Sequence, residues 1–210
     1  MSEVTSSAVR NGALLALIAA GGVALLAGAD LLTRDLIAAQ EARLVREQLA
    51  QVLPADSYDN DPRTDRISIS DPVALGQAGP VPVFRARRGG EPVAVVMEVT
   101  APDGYNGDIR LLVGIWFDGT ISGVRVTRHR ETPGLGDPIE ARRSDWIDGF
   151  RGRSLTDPAA AGWAVRRDGG EFDQFTGATI TPRAVVGAVH RALEYFAAHR
   201  EEMFGEVSSE

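Results

Sequence analysis

The sequence predicts an α+β protein in which a single N-terminal transmembrane helix precedes an antiparallel-sheet domain with a C-terminal helix. Three observations predict this class. An uncharged run extends from Asn11 to Ala29, strand-like segments with a hairpin signal occupy residues 92–128, and an amphipathic pattern runs from Pro182 to about Phe204. Strand hairpins that are followed by helices indicate an α+β domain rather than a parallel α/β sheet.

Composition excludes several classes of function. The chain has 210 residues with 22 basic and 29 acidic side chains, a net charge of −7. This charge argues against a nucleic-acid-binding protein, which needs a basic face for phosphates. The absence of cysteine excludes disulfides, cysteine-ligated zinc, iron–sulfur clusters and a thiol nucleophile. Electron transfer by this chain would therefore require an organic cofactor or a metal site without cysteine.

The uncharged run predicts a transmembrane helix over residues 10–32. A helix as long as Asn11–Ala29 spans roughly 28 Å, close to the thickness of a bilayer core. Arg10 is the one flanking cation on the N-terminal side, which favours a cytoplasmic tail at residues 1–9. A cleaved signal peptide is the alternative, because Ala27–Ala29 resembles a cleavage site. The length of the run favours a retained anchor.

Residues 33–90 predict an amphipathic stalk helix and a connector. Apolar residues recur at spacings near 3.6 from Leu36 to Val52, which is typical of a helix with one apolar face. Pro54 is expected to end this helix. The segment Asp56–Pro82 is rich in Asp, Pro, Ser and Gly and predicts a connector with one short strand.

The domain that follows is predicted over residues 91–205, with a flexible tail at 206–210. Pro92–Thr100 is nearly continuous in apolar residues and predicts a strand buried on both faces. Leu111–Phe117 and Ile121–Arg128 predict two more strands, which the hairpin signal Asp118-Gly119 joins.

The C-terminal part of the domain predicts less regular structure before a final helix. Asp145–Phe150 indicates a short helical turn, and Trp163–Arg166 with Phe172 indicates one or two further strands. The last helix is expected from Pro182 to about Phe204. Its predicted apolar stripe consists of Val185, Val186, Val189, Leu193 and Phe196.

The first candidate site is the segment His129–Gly136. Pro133-Gly134 predicts a tight turn, and Gly136 would allow the backbone to approach a bound group closely. An ordinary surface turn is the alternative interpretation. His129 and Glu131 form a weak metal-binding pair at best, so the sequence predicts no metal site.

The second candidate site is the segment Asp173–Pro182. Pro182 suits the first position of a helix, which makes Thr181 the expected N-cap residue. Its hydroxyl would lie at the positive end of the helix dipole beside unpaired backbone N–H groups, an arrangement that binds anions. The small residues Thr176–Thr179 would let a phosphate approach. The alternative is that Thr181 only caps the helix.

These segments also carry a family resemblance. Thr176-Gly-Ala-Thr-Ile-Thr181 resembles the (Ser/Thr)-Gly-Ala-Thr-x-(Thr/Ser) flavinylation motif of FMN-binding subunits. Gly104-Tyr-Asn-Gly-Asp-Ile109, Val113-Gly-Ile115, Asp118-Gly119 and His129-x-Glu-Thr-Pro-Gly-Leu-Gly136 resemble the G subunits of the Rnf ion-translocating electron transport complex. The C subunits of the Na⁺-pumping NADH:quinone reductase are relatives of that family with the same architecture.

The resemblance implies an electron carrier that is not catalytic alone. FMN would be joined by a phosphoester to Thr181, and residues 91–205 would be the FMN-binding domain. The protein would pass electrons between neighbouring redox centres of a complex that transports ions. The implied location is the cell inner membrane, single-pass, with the FMN domain on the periplasmic side. The implied partners are the other subunits, a flavin transferase for maturation and membrane lipid, but no nucleic acid.

The resemblance also implies contacts around the flavin. Glu131 and Thr132 would make polar contacts, and Leu135 would contact the ring. Asp173 would organise its loop or assist flavin transfer, with Mg²⁺ on the transferase. The remaining implied cofactor-binding residues are Gly134, Thr176, Gly177, Ala178 and Thr179.

Two other functions stay open at the level of sequence. One is a free-standing membrane-anchored periplasmic flavoprotein that reduces a small acceptor. The other is an anchored binding domain without a cofactor. A hydrolase is disfavoured, because the sequence has neither a G-x-S-x-G nor an H-E-x-x-H motif.

Overall fold

The computed structural model describes residues 2–205 and divides into two compact units between Arg46 and Glu47. In the first helix, the structure describes the backbone but not the side chains at positions 2–9, 14, 35–39 and 41–42. Met1 and the predicted flexible tail at 206–210 also lie outside the described residues.

The N-terminal unit is helical throughout. Helix α1 runs without interruption over Ser2–Ala50, so the predicted membrane segment and the predicted stalk form one helix. Its stretch Arg10–Arg34 is long and apolar enough to cross a membrane, and none of its apolar window is buried. Leu17 and Leu25 are among the exposed apolar side chains. An apolar surface of this size requires a lipid or protein neighbour.

Helix α1 ends earlier than the sequence predicts. The sequence pattern continues to Leu53, but the helix ends at Ala50 and a turn follows. The amide of Leu53 still donates to the carbonyl of Leu49 at 2.8 Å. A residue that precedes a proline disfavours helical backbone angles. Pro54 therefore acts against a helical conformation at Leu53, one residue before its own position.

The second unit is built on one antiparallel sheet of five strands. The strands lie side by side in chain order, so each pairs with its sequence neighbours. They are β1 (Arg66–Ile69), β2 (Val81–Arg88), β3 (Glu91–Ala101), β4 (Ile109–Trp116) and β5 (Ile121–Arg128). The three strands predicted between residues 92 and 128 are confirmed.

The sheet begins before residue 91, the predicted start of the domain. Strands β1 and β2, and a short helix α2 (Pro72–Leu75) between them, lie in the part predicted as a stalk and connector. Strand β2 was missed because Pro82 and three arginines interrupt its apolar pattern. Arg85 and Arg87 both pair with Asp65, which compensates their charge within the fold.

Both faces of the sheet are covered. On one face, helix α3 (Ile180–Phe204) packs its apolar stripe into a core with alternate residues of β3 and β4. Within β3, the four consecutive residues from Ala94 to Met97 are buried, which confirms a strand buried on both faces. All five predicted stripe residues of α3 are buried.

On the opposite face of the sheet, the residues just after α1 pack against β4 and β5. Gly114 and Gly123 are cross-strand partners of β4 and β5, and a Cβ atom on Gly123 would lie 3.0 Å from the carbonyl oxygen of Val52. The hydroxyl of Ser122 donates to that same carbonyl at 2.7 Å. The glycine pair therefore provides the space in which Val52 contacts the sheet.

The segment between β5 and α3, all of which the structure describes, contains no strand, so the prediction of one or two strands there is wrong. Four short 3₁₀ helices occupy it, and Val165 and Phe172 form only an isolated bridge. The bridge is parallel, and the segment between Val165 and Phe172 is too short for the crossover that paired parallel strands need. The predicted turn is confirmed as a 3₁₀ helix at Trp146–Phe150.

The contact at Val52 leads to a prediction about stability. We expect Gly123→Val to lower the free energy of unfolding by about 1–3 kcal/mol, because overpacking forces the backbone to move. Urea unfolding of the full chain in detergent, followed by tryptophan fluorescence, measures this change. Gly149→Val is the matched control, since a Cβ on the exposed Gly149 has no neighbour within 4 Å. Equal losses in both variants would contradict the contact.

Candidate functional site

The two sequence motifs meet around one cavity. It has a volume of about 380 Å³ and lies between the segment after β5 and the start of α3, within the size range of small-molecule sites. Its walls come from three segments that are far apart in sequence. The lining residues are Tyr105, Glu131, Thr132, Leu135, Gly136, Gly177, Ala178, Thr179, Ile180 and Thr181.

Thr181 lies inside the first turn of α3 and does not cap it. The helix begins at Ile180, so the predicted N-cap role is wrong, and Thr179 in the capping position makes no side-chain cap hydrogen bond. Pro182 is tolerated in the third helical position because N–H groups of the first turn have no partner within the helix. The hydroxyl of Thr181 donates instead to the carboxylate of Glu131.

Glu131 is held from two sides. Glu131 is 4% exposed and Thr181 is 0% exposed, so the contact between their side chains is shielded from solvent. Carboxylate oxygen Oε2 accepts from Thr181, and Oε1 accepts from the backbone N–H of Asn106 at 3.0 Å. The backbone N–H of Glu131 donates to Nδ1 of His129 at 3.0 Å. The side chain therefore has a fixed orientation toward Thr181.

Gly136 makes room for this contact. A Cβ atom at this position would lie 2.9 Å from Oγ1 of Thr181 and 3.0 Å from Oε2 of Glu131. Any larger residue would therefore displace one of the two groups. The sequence predicted that Gly136 approaches a bound group, whereas the groups that it approaches in the fold are the side chains of Glu131 and Thr181.

The predicted tight turn is confirmed in the segment 129–136. The N–H groups of Leu135 and Gly136 both donate to the carbonyl of Thr132, at 3.1 and 3.0 Å. Gly134 has a φ of +78°, a backbone conformation that favours glycine. Its N–H donates to the carboxylate of Asp137 at 2.6 Å. Gly134 shapes the turn but does not line the cavity.

An ion-pair cluster anchors the base of the same segment. The ring of His129 contacts the carboxylate of Glu140 through Nε2 at 2.8 Å. A hydrogen bond from Arg142, opposed by burial and supported by His129, lowers the pKa of Glu140 to about 2. Glu140 is therefore ionised at neutral pH and available to hold His129, which in turn fixes the backbone of Glu131.

Seven of the ten predicted site residues line the cavity, and three do not. The three are Gly134, Asp173 and Thr176. Asp173 is exposed and pairs with Arg166 at 3.0 Å, while its carbonyl accepts from the indole of Trp146. These contacts organise the loop before the motif, away from the cavity.

Three of the lining residues are not among the predicted cofactor contacts. Tyr105 is the most exposed of the three, with 66% of its surface accessible. Tyr105 lies in the turn between β3 and β4, and the side chain of Asn106 joins that turn to Thr132 by a 3.0 Å hydrogen bond. An aromatic residue between glycines at positions 104 and 107 is the signal that could have identified it. The other two are Ile180 and Gly136, and the sequence analysis had singled out Gly136 for its small size.

The chain matches two family models. A model described as an FMN-binding domain matches residues 104–194, which include every residue that lines the cavity. A model described as an RnfG N-terminal region matches residues 1–52, which comprise α1 and the turn that reaches Val52.

Curated relatives align with almost the whole chain. A protein of Pseudomonas aeruginosa is 50% identical over 94% of this chain and 92% of its own length. One of Cereibacter sphaeroides is 53% identical, over 94% and 88%, and one of Cronobacter sakazakii is 54% identical, over 89% and 88%. All three are described as the G subunit of an ion-translocating oxidoreductase complex. With this identity over nearly its full length, the chain belongs to the family of G subunits of ion-translocating oxidoreductase complexes.

Proposed function

We propose that this protein is the FMN-carrying electron-transfer subunit of a membrane-bound ion-translocating oxidoreductase complex, with FMN joined to Thr181 by a phosphoester. One observation carries the covalent part of this proposal. Thr181 is one of the residues that line the cavity in which the two motifs meet, and it lies in the first turn of helix α3. Unpaired N–H groups at such a helix end stabilise a phosphate.

The lining residues suit a flavin phosphate. Tyr105 and Leu135, 66% and 46% exposed, offer an aromatic and an aliphatic surface for a planar ring. The small residues Gly177 and Ala178 leave space beside Thr181. Gly177 has a φ of +82°. A Cβ atom at this position would lie 3.7 Å from the side chain of Leu135, which shows that the two motifs pack against each other.

Charge favours a covalent diester over bound free FMN. Among the ten lining residues, Glu131 carries the one formal charge and no lysine or arginine is present. A phosphate monoester carries about −1.5 to −2 charges at neutral pH, which such a wall does not neutralise. A phosphodiester keeps one negative charge, which the end of helix α3 can stabilise.

The cofactor supplies the redox chemistry, since FMN when bound accepts and releases electrons. The chain's own residues hold and shield it. Thr181 fixes the phosphate end, Leu135 and Tyr105 limit access of water to the ring, and Thr132 offers a hydroxyl for a polar contact. The neighbouring subunits of the complex would deliver and remove the electrons.

Maturation requires a flavin transferase, which must recognise the surface beside the cavity. Asp173 and Thr176 belong to the motif but are exposed outside the cavity. We therefore assign them to recognition by the transferase rather than to contact with FMN. In our proposal α1 is retained in the lipid of the inner membrane, and the second unit is periplasmic.

The covalent site can be tested by deleting one hydroxyl. We expect Thr181→Ala to abolish covalent FMN and electron transfer while the chain stays folded. Loss of one buried hydrogen bond costs about 1–3 kcal/mol, less than a typical domain stability of about 5–15 kcal/mol. Fluorescence of the denatured band under ultraviolet light, after coexpression with a flavin transferase, measures the attachment.

Two further variants make this test specific. Thr181→Ser keeps a hydroxyl and should retain flavin. Thr176→Ala removes an exposed hydroxyl that we assign to recognition by the transferase, so it should slow flavinylation but still give a fluorescent band. A fluorescent band in Thr181→Ala would refute the assignment. So would mass spectrometry that finds the flavin phosphate on Thr176 or Thr179.

The contact with the ring can be tested at Leu135. We expect Leu135→Ala to keep covalent FMN but to change its visible absorption maximum and midpoint potential, because an apolar neighbour is removed. Its stability should change by no more than about 0.5 kcal/mol, as for other exposed positions. Val73→Ala, an exposed change on α2, is the control. An unchanged spectrum and potential would count against the contact.

The orientation in the membrane can be tested with protease. Arg10 precedes the apolar stretch of α1, so we expect a cytoplasmic N-terminus. Protease added to spheroplasts should digest the second unit and leave an N-terminal epitope intact. Protection of the second unit while the inner membrane is intact would overturn this orientation.

A further inference from the structure

We propose that Glu131 accepts the proton of the Thr181 hydroxyl when the FMN phosphoester forms. This inference rests on the proposed covalent site at Thr181. A threonine hydroxyl is a weak nucleophile unless a base within hydrogen-bond reach removes its proton. The carboxylate of Glu131 already accepts the hydrogen bond from that hydroxyl.

Among the residues that line the cavity, Glu131 is the one suited to accept the proton of Thr181. Among the ten lining residues it is the sole carboxylate, and the lining includes no histidine or lysine. Nδ1 of the nearby His129 accepts from the backbone of Glu131, and its Nε2 faces Glu140. Both ring nitrogens of His129 are therefore engaged away from Thr181.

The orientation of the carboxylate suits this role. The backbone N–H of Asn106 holds Oε1, so Oε2 stays directed at Oγ1 of Thr181. Gly136 leaves the space that the pair needs, as a Cβ there would lie within 3.0 Å of both atoms. Three segments thus position a buried carboxylate on one hydroxyl.

The step balances with a flavin phosphate donor activated as a phosphoanhydride, which the transferase would supply. A bond forms between Oγ1 of Thr181 and the flavin phosphorus. The bond from that phosphorus to the bridging oxygen breaks, and the second phosphate leaves with the electron pair. The hydroxyl proton goes to Glu131, and nothing is oxidised or reduced.

Proton transfer also explains how an acidic residue is compatible with the product. An ionised Glu131 would repel the phosphodiester beside it, since like charges in a buried site disfavour one another. The protonated carboxyl group is neutral and has an O–H that can donate to a phosphate oxygen. The proton released by the reaction thus removes the repulsion that the reaction creates.

The test uses Glu131→Gln in the full chain. Glutamine keeps the size of the side chain and an acceptor oxygen but cannot take the proton. With purified transferase and donor, we expect the initial rate of flavinylation, read as in-gel fluorescence, to fall by about 100-fold or more, the usual contribution of a general base. Glu171→Gln, a change at an exposed carboxylate near the motif, should keep the wild-type rate.

A second variant separates a chemical role of Glu131 from a structural one. Glu131→Asp keeps the carboxylate, so its rate should exceed that of Glu131→Gln even if both unfold at a lower temperature than wild type. Equal rates in the Gln and Asp variants, or a wild-type rate in Glu131→Gln, would overturn the role of Glu131.

The same experiment distinguishes the two levels of the proposal. Mass spectrometry of the wild-type product tests the attachment at Thr181, and flavin found elsewhere would refute both the proposed site and this inference. Flavin on Thr181 of the wild type, together with an undiminished rate in Glu131→Gln, would refute the inference alone.

Discussion

The buried contact between Thr181 and Glu131 is the constraint on which the site depends. It requires a glycine at position 136, because any Cβ there would displace one of the two groups. It also requires that the end of β5 and the start of α3, which are about fifty residues apart in sequence, meet in the fold. The 3₁₀ segment between them therefore serves mainly to return the chain to the same end of the sheet.

The rigidity of that end comes from the sheet and from both ends of α3. The apolar stripe of α3 fixes the helix against β3 and β4, and arginines from β2 reach its other end. Arg85 donates to the carbonyl of Gly205 at 2.9 Å, and Arg87 donates to that of Phe204 at 2.8 Å. Cations at a helix C-terminus stabilise the helix dipole. A cofactor attached to the first turn of this helix would thus be held on a well-anchored element.

The second face of the sheet is covered by residues that follow α1. Val52, just beyond α1, contacts the glycine pair of β4 and β5. The residues from Glu47 to Val52 belong to the second unit, and they end in a buried contact with the sheet.

The sequence by itself determined the architecture of most elements and the identity of the two motifs. An uncharged run predicted the first part of α1, a nearly continuous apolar run predicted β3, and helical periodicity predicted the apolar stripe of α3, since local patterns suffice where packing follows them. The motif at Thr176–Thr181 and the segment His129–Gly136 were identified from residue types alone. Strand β2 was missed because Arg85 and Arg87 interrupt its apolar pattern, and Asp65, the carboxylate that pairs with both, is distant in sequence.

Tertiary structure alone decided what the motif residues do. The position of Thr181 within the first turn, and the transfer of its hydrogen bond to Glu131, depend on a contact between segments that no local pattern records. The same holds for Tyr105, which enters the cavity wall through a turn on another part of the sheet. Local sequence fixes periodicity and turn chemistry, whereas hydrogen bonds between distant segments become visible only when the core has brought those segments together.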